Sequence, residues 1–487
     1  MLPFTGRRHL RAGRQNHSPF SQIQNKGVAA EDYLAYGLGE ELVDAMSAFP
    51  ELLVRPLAVS MAHAKRGSDS REIGRSLDVD AVVEGSLLRS GNTVSLRLRL
   101  LSVSNGFQIA TWRFEHPKET VLALASGAAA SIAEALTLGG PPRVPIGFAD
   151  IEAQDLYLRG RYLFVTSYYE TTNAIPLLRS AYERAPDDVR IAATYVLALI
   201  RHFRLSDLDA EVARAAREIA LSAVEKHPEA PDAHVALGAV HFEEGQYRLA
   251  AIAFCRALTL SPRHPDALDW SGRMLVEAGE PEWAINHFTW AKSQDPNNVG
   301  LDAGLVRAHF LNGDEDTAWS LARAPTLESE ASFHWRLLGR LTIWSRDRAA
   351  ATRELDRLRS VPRASTMERP EFILRVSATG RLTPLEIRAI LDDLAPSGVA
   401  RRDAFRTQVA IETFLAASMV ECAWSLLPSL ENHFFFDLTW LDRCPALEPI
   451  RDTTEFVKLR ESTAARAVLA LEVFERTHIL FTGHPNA

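Results

Sequence analysis

Apolar positions along this chain change their period near residue 140, and the change divides the molecule. Before it, helical and alternating stretches take turns. Leu38, Leu42, Val43, Met46 and Phe49 recur at helical spacing from Ala35 onward, and Pro50 ends the run. Leu52 to Val59 predicts a strand, and Asp69 to Leu77 predicts a short helix capped by Ser68 or Asp69. Two alternating runs, Ala81 to Arg89 and Thr93 to Val103, flank Ser90-Gly91-Asn92. A Gly-Asn pair between such runs marks a hairpin. Gln108 to Phe114 predicts a further strand after the turn at Ser104-Asn105-Gly106, and Ala-rich Glu119 to Leu136 predicts a helix. Residues 1 to 30 show no periodicity after Phe4 and predict a short strand followed by a long, mobile loop over 5–30.

Gly139-Gly140-Pro141-Pro142 and Pro145-Ile146-Gly147 break any helix, and from Ala153 onward helical periodicity dominates. The expected division is a small α/β (or α+β) domain over 1–137, a linker over 138–152, a helical array over 153–325, and degenerate hairpins with a C-terminal cap over 326–487. The array repeats itself. Pro231 to His264 and Pro265 to Asn298 are consecutive 34-residue units. Gly238 and Gly272 fall where two helices approach closely, and Gly245 and Gly279 fall in the turn between them. Ala250 and Ala284 sit at the crossing, Phe254 and Phe288 fill the space between hairpins, and Ala257 and Ala291 let the next hairpin stack. Pro262 and Pro296 end the second helices. The frame continues weakly through Ala174, Leu178, Ala181 and Pro186, through Ala216, Ala220, Ala223 and Pro228, and through Leu305, Gly313 and Ala318. Beyond 326 helices are expected at Ser332–Trp344, Arg348–Arg359, Pro384–Leu394, Ala404–Ser418 and Val420–Leu430, without the repeat.

The two 34-residue units resemble tetratricopeptide repeats, which implies an all-α right-handed solenoid over the array. The first region resembles the TolB-like amino-terminal domain of bacterial cyclase, kinase and winged-helix regulator relatives. That likeness is carried by Leu2-Pro3-Phe4, Tyr36-Gly37-Leu38-Gly39-Glu40-Glu41-Leu42, Arg71-Glu72-Ile73-Gly74-Arg75 and the segment Leu77 to Ser86. The family pattern places several apolar residues before Leu-Pro-Phe, where this sequence has only Met1. Either the domain starts with a stunted edge strand or an upstream output domain is missing or was lost, and a truncated relative is the favoured expectation.

Composition narrows the chemistry. With 47% hydrophobic and 24% charged residues the chain is ordinary globular material, and its net charge of −8 argues against a surface built wholly to grip nucleic acid. The basic stretch of Arg7, Arg8, Arg11, Arg14 and Lys26 leaves one alternative, a transcription-regulator relative that contacts DNA through this arm. Cys255, Cys422 and Cys444 form no metal or disulfide pattern and read as buried or incidental thiols. No run of eighteen apolar residues and no secretory leader is present, so the cytoplasm is the expected compartment. Phosphate-loop, kinase and hydrolase signatures are absent. Gly37-Leu38-Gly39 lacks the strand a dinucleotide loop needs. Asp78 and Asp80 read as a helix-to-strand junction, Glu84 as structural, and His227 and His234 lack the spacing of metal ligands.

No enzyme, cofactor or metal is therefore expected, although the domain association leaves a remnant of a cyclase or kinase as a further alternative. The leading expectation is a signalling scaffold that binds a protein or peptide through the concave groove of the repeats. The tetratricopeptide resemblance implies that Val235, Ala239, Phe242 and Glu243 line this groove in one unit, and Asp269, Arg273, Val276 and Glu277 in the next. Val235 and Ala239 stand where a chaperone-binding groove carries Lys and Asn, so capture of a C-terminal carboxylate is not expected.

Overall fold

The computed structural model describes residues 16–26, 32–47, 49, 52–64, 70–90, 93–104, 108–117, 123–136, 150–166, 171–205, 210–262, 264–294, 298–324, 331–360, 368–397 and 399–477. The chain forms two compact units, one of residues 1–162 with 293–296, the other of 163–292 with 297–487.

The first unit is an α/β layer. Its strands are β1 (Asn16–Asn25), β2 (Leu52–Arg55), β3 (Ala81–Ser90), β4 (Thr93–Ser102) and β5 (Gln108–Pro117), in the spatial order β2-β1-β3-β4-β5. β1 runs parallel to both neighbours, and β3, β4 and β5 form an antiparallel meander. Alternation decides which face of β4 is buried: Val94, Leu96, Leu98 and Leu100 are fully inside. Helix α1 (Asp32–Ser47) packs against α4 (Ala123–Ala135), burying Leu38, Leu42 and Met46 on one helix and Ala128, Ala129 and Ile132 on the other. Between β2 and β3 lie α2 (Leu57–Ala64) and α3 (Ser70–Ser76).

Two expectations are corrected here. The stretch expected to be a loop over 5–30 holds β1, and the expected strand at Leu2–Phe4 lies outside the described residues. β1 is polar in sequence, with no alternating apolar set to announce it. Its place in the sheet rests on backbone pairing to two neighbours, and Ile23 is buried. A Cβ on Gly85 would sit 2.8 Å from Ile23 Cγ1, so the glycine of β3 makes room for that side chain. The strand expected over Leu52–Val59 stops at Arg55. Pro56 favours an extended residue before it and offers its carbonyl to the Ser60 amide, and the helix α2 follows.

The second unit is helical and begins within α5 (Ile151–Thr166). In chain order there follow α6 (Thr171–Arg184), α7 (Val189–Leu205), α8 (Ala210–Lys226), α9 (Pro231–Glu243), α10 (Tyr247–Leu260), α11 (Pro265–Ala278), α12 (Pro281–Gln294) and α13 (Val299–Leu311). In hairpin terms the first helices are α5, α7, α9, α11 and α13. Short α14 (Glu315–Ala322) closes the last hairpin.

The repeat frame has the physical meaning its residues suggest. A Cβ on Gly238 would lie 2.5 Å from the Phe254 ring, and one on Gly272 would lie 2.8 Å from Phe288. The glycines let the helix axes close on these rings, which are themselves fully buried. Gly245 and Gly279 turn the chain at φ of 76° and 108°, a region that penalises any side chain.

After α14 come α15 (Ala331–Trp344), α16 (Arg348–Ser360), α17 (Glu368–Thr379), α18 (Pro384–Asp392), α19 (Ala400–Ala416), α20 (Val420–Ser425), α21 (Leu427–Asn432) and α22 (Leu438–Arg443). A 3-10 turn at Pro445–Ile450 and the long α23 (Thr454–Arg476) end the unit. The sequence reading gave no helix at α17 or α23. This region does more than extend the array: α19 touches α9, α22 touches α11, and α23 packs against α10 and α11. A broad core of Trp335, Trp344, Phe414, Trp440, Leu441 and Leu447 joins these segments to α13 and α14.

Candidate functional site

The eight groove candidates divide sharply by exposure. Val235, Ala239, Phe242 and Val276 are at most 1% exposed, and Glu243 and Glu277 are 5% and 9% exposed. Asp269 and Arg273 are half-buried. The expected solvent-open lining is therefore corrected at six positions, because the chain's own C-terminal segments or neighbouring repeat helices cover them.

The covering contact is electrostatic and aromatic. Arg401, from the first turn of α19, donates to both Glu277 carboxylate oxygens at 2.7 and 2.6 Å and lies 3.5 Å from Glu243. Its guanidinium stacks 3.8 Å above the Phe242 ring. Burial pulls the Arg401 pKa down, but Glu277 and Glu243 outweigh that, so it rises above the usual arginine range. The extended segment before α22 completes the cover. Phe436 stacks on Tyr247 at 3.9 Å between ring centres and meets Phe242 edge-on. The Tyr247 hydroxyl donates to the Phe434 carbonyl at 2.9 Å, and burial pushes its pKa up to about 12. Thr439 donates to the Val276 carbonyl. Asp437 accepts from Arg307 and, at 3.0 Å, from Gln408, and burial raises its pKa despite Arg307. Sequence spacing gave no sign of this clasp, because its two halves lie more than a hundred residues apart.

What stays accessible is a narrow cleft lined by Phe164, Leu197, Arg201, Asp266, Asp269, Trp270, Arg273, Asn298 and Gly300. These residues come from α5, α7, α11 and the start of α13, all of them first helices of hairpins, while α9 contributes none. Arg201 donates to the Phe164 carbonyl at 2.6 Å and stacks 3.8 Å above that ring. Arg273 holds Asp269 through two bonds of 2.8 and 3.1 Å. A Cβ on Gly300 would fall 2.9 Å from the Arg273 guanidinium, so the glycine admits this side chain against α13. The space is about 40 Å³, far below the roughly 300 Å³ at which small-molecule pockets begin. It suits a side chain or two of a larger partner, with charge of both signs and an indole to meet it.

The other residues singled out in the sequence have structural partners. Gly37 packs beneath Leu158, whose side chain would lie 2.6 Å from an added Cβ. Asp78 takes a left-handed φ of 51° and lets the Val79 amide bond back to the Gly74 carbonyl at 3.1 Å, which closes α3. The Asp80 carbonyl accepts from the Val103 amide. Glu84 pairs with Arg99 at 2.8 Å and accepts from Ser70. The rings of His227 and His234 bond the Asp187 and Pro228 carbonyls at 2.7 and 2.8 Å. Burial pushes the Cys255 thiol up to about 11 and raises that of Cys444 as well. Arg7, Arg8, Arg11 and Arg14 lie outside the described residues, and Lys26 is exposed. Among the described residues no cluster of His, Cys, Asp or Glu is arranged to hold a metal, and no helix is long and apolar enough to cross a membrane.

No family model matches the chain. A putative adenylate cyclase 3 of Rhizobium meliloti is 28% identical over 148 residues, which are 29% of this chain and 25% of that protein. The chain thus matches about a quarter of that relative's length. A tetratricopeptide repeat protein from Parabacteroides merdae aligns in structure over 56% of this chain and 98% of its own, at 13% identity and a TM-score of 0.32. TolB from Acinetobacter baumannii aligns over 26% of this chain and 29% of its own, at 10% identity and a TM-score of 0.20. At such scores neither alignment bears on what the chain does. The helical unit is an array of stacked helical hairpins, with the C-terminal third of the chain clasped onto its repeats.

Proposed function

We propose that the chain is a non-catalytic scaffold in bacterial signalling or regulation that binds a partner protein or peptide. The binding element is the cleft of Arg201, Asp266, Asp269, Trp270 and Arg273. One observation carries the proposal: the cleft is lined by first helices of the hairpins, α5, α7, α11 and the start of α13, and it stays open beside the positions of α9 and α11 that Arg401 and Phe436 cover. Of the groove residues implied by the repeat resemblance, Asp269 and Arg273 remain available to a partner. Val235, Ala239, Phe242, Glu243, Val276 and Glu277 instead shape the floor beneath the clasp. A segment with an aromatic or aliphatic anchor flanked by charge suits such a surface.

The signalling setting is supported by the likeness to a protein named as a putative adenylate cyclase, and by the TolB-like pattern of Leu77 to Ser86 in the first unit. That unit would sense, dock or dimerise, and a cytoplasmic site of action belongs to the same reading. The test is capture of partners by the whole chain carrying Arg201→Glu and Arg273→Glu. Loss of a specific partner is expected while circular dichroism shows the helical fold retained. Retention of every partner by the double variant would sink the proposal.

A further inference from the structure

Away from the repeats, α17, α18 and α19 line a second, open cleft of about 350 Å³. That volume is within the range of small-molecule sites, and more than twice the roughly 150 Å³ that accommodates benzene in an engineered apolar cavity. Its walls are Phe372 and Ile373 on α17, Ile390 and Leu394 on and after α18, and Val409 and Ala410 on α19.

The helix on its outer side is unusual in how it is held. None of the residues of α18 is buried. The helix is fixed instead at its ends. Thr383 caps it in a reciprocal box with Glu386, and Pro384 starts the first turn. Arg375 of α17 pairs with Glu386, and Arg406 of α19 donates to Asp393 at 3.1 Å and to the Ala395 carbonyl at 3.3 Å. The helix therefore keeps its shape without packing its apolar side fully, and Ile387, Ile390 and Leu394 remain only partly covered.

The polar groups of the cleft decide what could enter. Glu386 is engaged by Thr383 and Arg375, Arg406 by Asp393 and Ala395, and the Thr413 hydroxyl donates to the Val409 carbonyl at 2.7 Å. Each charge at the rim already faces an opposite one. A charged ligand would lose its hydration without gaining a counter-ion of its own.

We infer that this cleft is a binding site for an uncharged apolar small molecule about twice the size of benzene, held between α17 and α19 with α18 as its outer wall. This inference does not depend on the partner-binding proposal. The test uses the full chain and N-phenyl-1-naphthylamine, an uncharged dye that brightens in apolar surroundings, alongside the anionic 1-anilinonaphthalene-8-sulfonate. The neutral dye is expected to saturate at one per chain, and the anion to bind at least tenfold more weakly. Ala389→Trp places an indole from an exposed helix position into the cleft and is expected to abolish binding of the neutral dye. Leu385→Trp, on the same helix but outside the lining, is expected to leave it unchanged, with circular dichroism confirming that both variants fold. Absence of saturable binding, equal affinity for the two dyes, unchanged binding by Ala389→Trp, or loss with Leu385→Trp would each overturn the assignment.

Discussion

Replacing Arg401 by methionine tests the clasp directly. The side chain is 12% exposed, and it faces Glu243 and Glu277 carboxylates that are 7% and 11% exposed. Removing the cation takes away the partner that Glu243 and Glu277 share and leaves Arg307 at 3.5 Å from Glu277, which by analogy with broken buried pairs costs about 3 kcal/mol, the lower end of the range for such pairs. Part of this is the loss of the cation from the Phe242 face, up to about 2 kcal/mol when desolvated. For a slope of about 3 kcal/mol per M, the urea midpoint should fall by roughly 1 M. Tryptophan fluorescence is the suitable probe, because Trp112 alone among the nine tryptophans belongs to the first unit. The triple variant Arg401→Met, Glu243→Gln, Glu277→Gln removes the stranded charges and should recover at least half of the loss. A midpoint shift under roughly 0.3 M for Arg401→Met, or no recovery in the triple variant, would show that the ion cluster does not hold the C-terminal third in place.

Three further outcomes are expected. Gly238→Ala should destabilise the array by about 1–3 kcal/mol in the same titration, since its Cβ would press on the Phe254 ring, and Phe254→Leu should restore part of this. His287 bonds Ser271 at 2.8 Å, and burial lowers its pKa from 6.5 to about 4. A histidine lowered on folding contributes stability that is complete above pH 6.5 and is lost as pH falls through 4. That is about 3 kcal/mol, and midpoints measured from pH 7 to 4 should show it in the native chain but not in His287→Phe. Thr383→Ala should cost α18 about 1 kcal/mol and speed its amide exchange roughly fivefold, while the global midpoint stays nearly fixed.

What could be read from the sequence follows from what each element depends on. The hairpins at 231–294 announce themselves because glycine at a crossing, phenylalanine in the gap and glycine in the turn are local demands with fixed spacing. The β3–β4 pair was legible for the same reason, through alternation. β1 was not, because a polar strand flanked on both sides is specified by its neighbours' backbones rather than by its own side chains. The candidate site was half legible. The repeat resemblance implied Asp269 and Arg273, but it could not show that Arg401 and Phe436 cover Phe242, since that contact joins segments far apart in the chain. Asp266 and Trp270 could have been found by following the same helix, α11, and Arg201 by extending the first-helix row to α7.

The most direct test of the scaffold reading is site-specific photo-crosslinking in the source cell. A benzophenone amino acid would be placed at position 266 in the cleft, and at position 249 on α10, where Leu249 is 45% exposed outside it. The account predicts a defined protein adduct from position 266 that disappears with Arg273→Glu, and none of that adduct from position 249. The same adducts from both positions, or an adduct at 266 that survives Arg273→Glu, would contradict it.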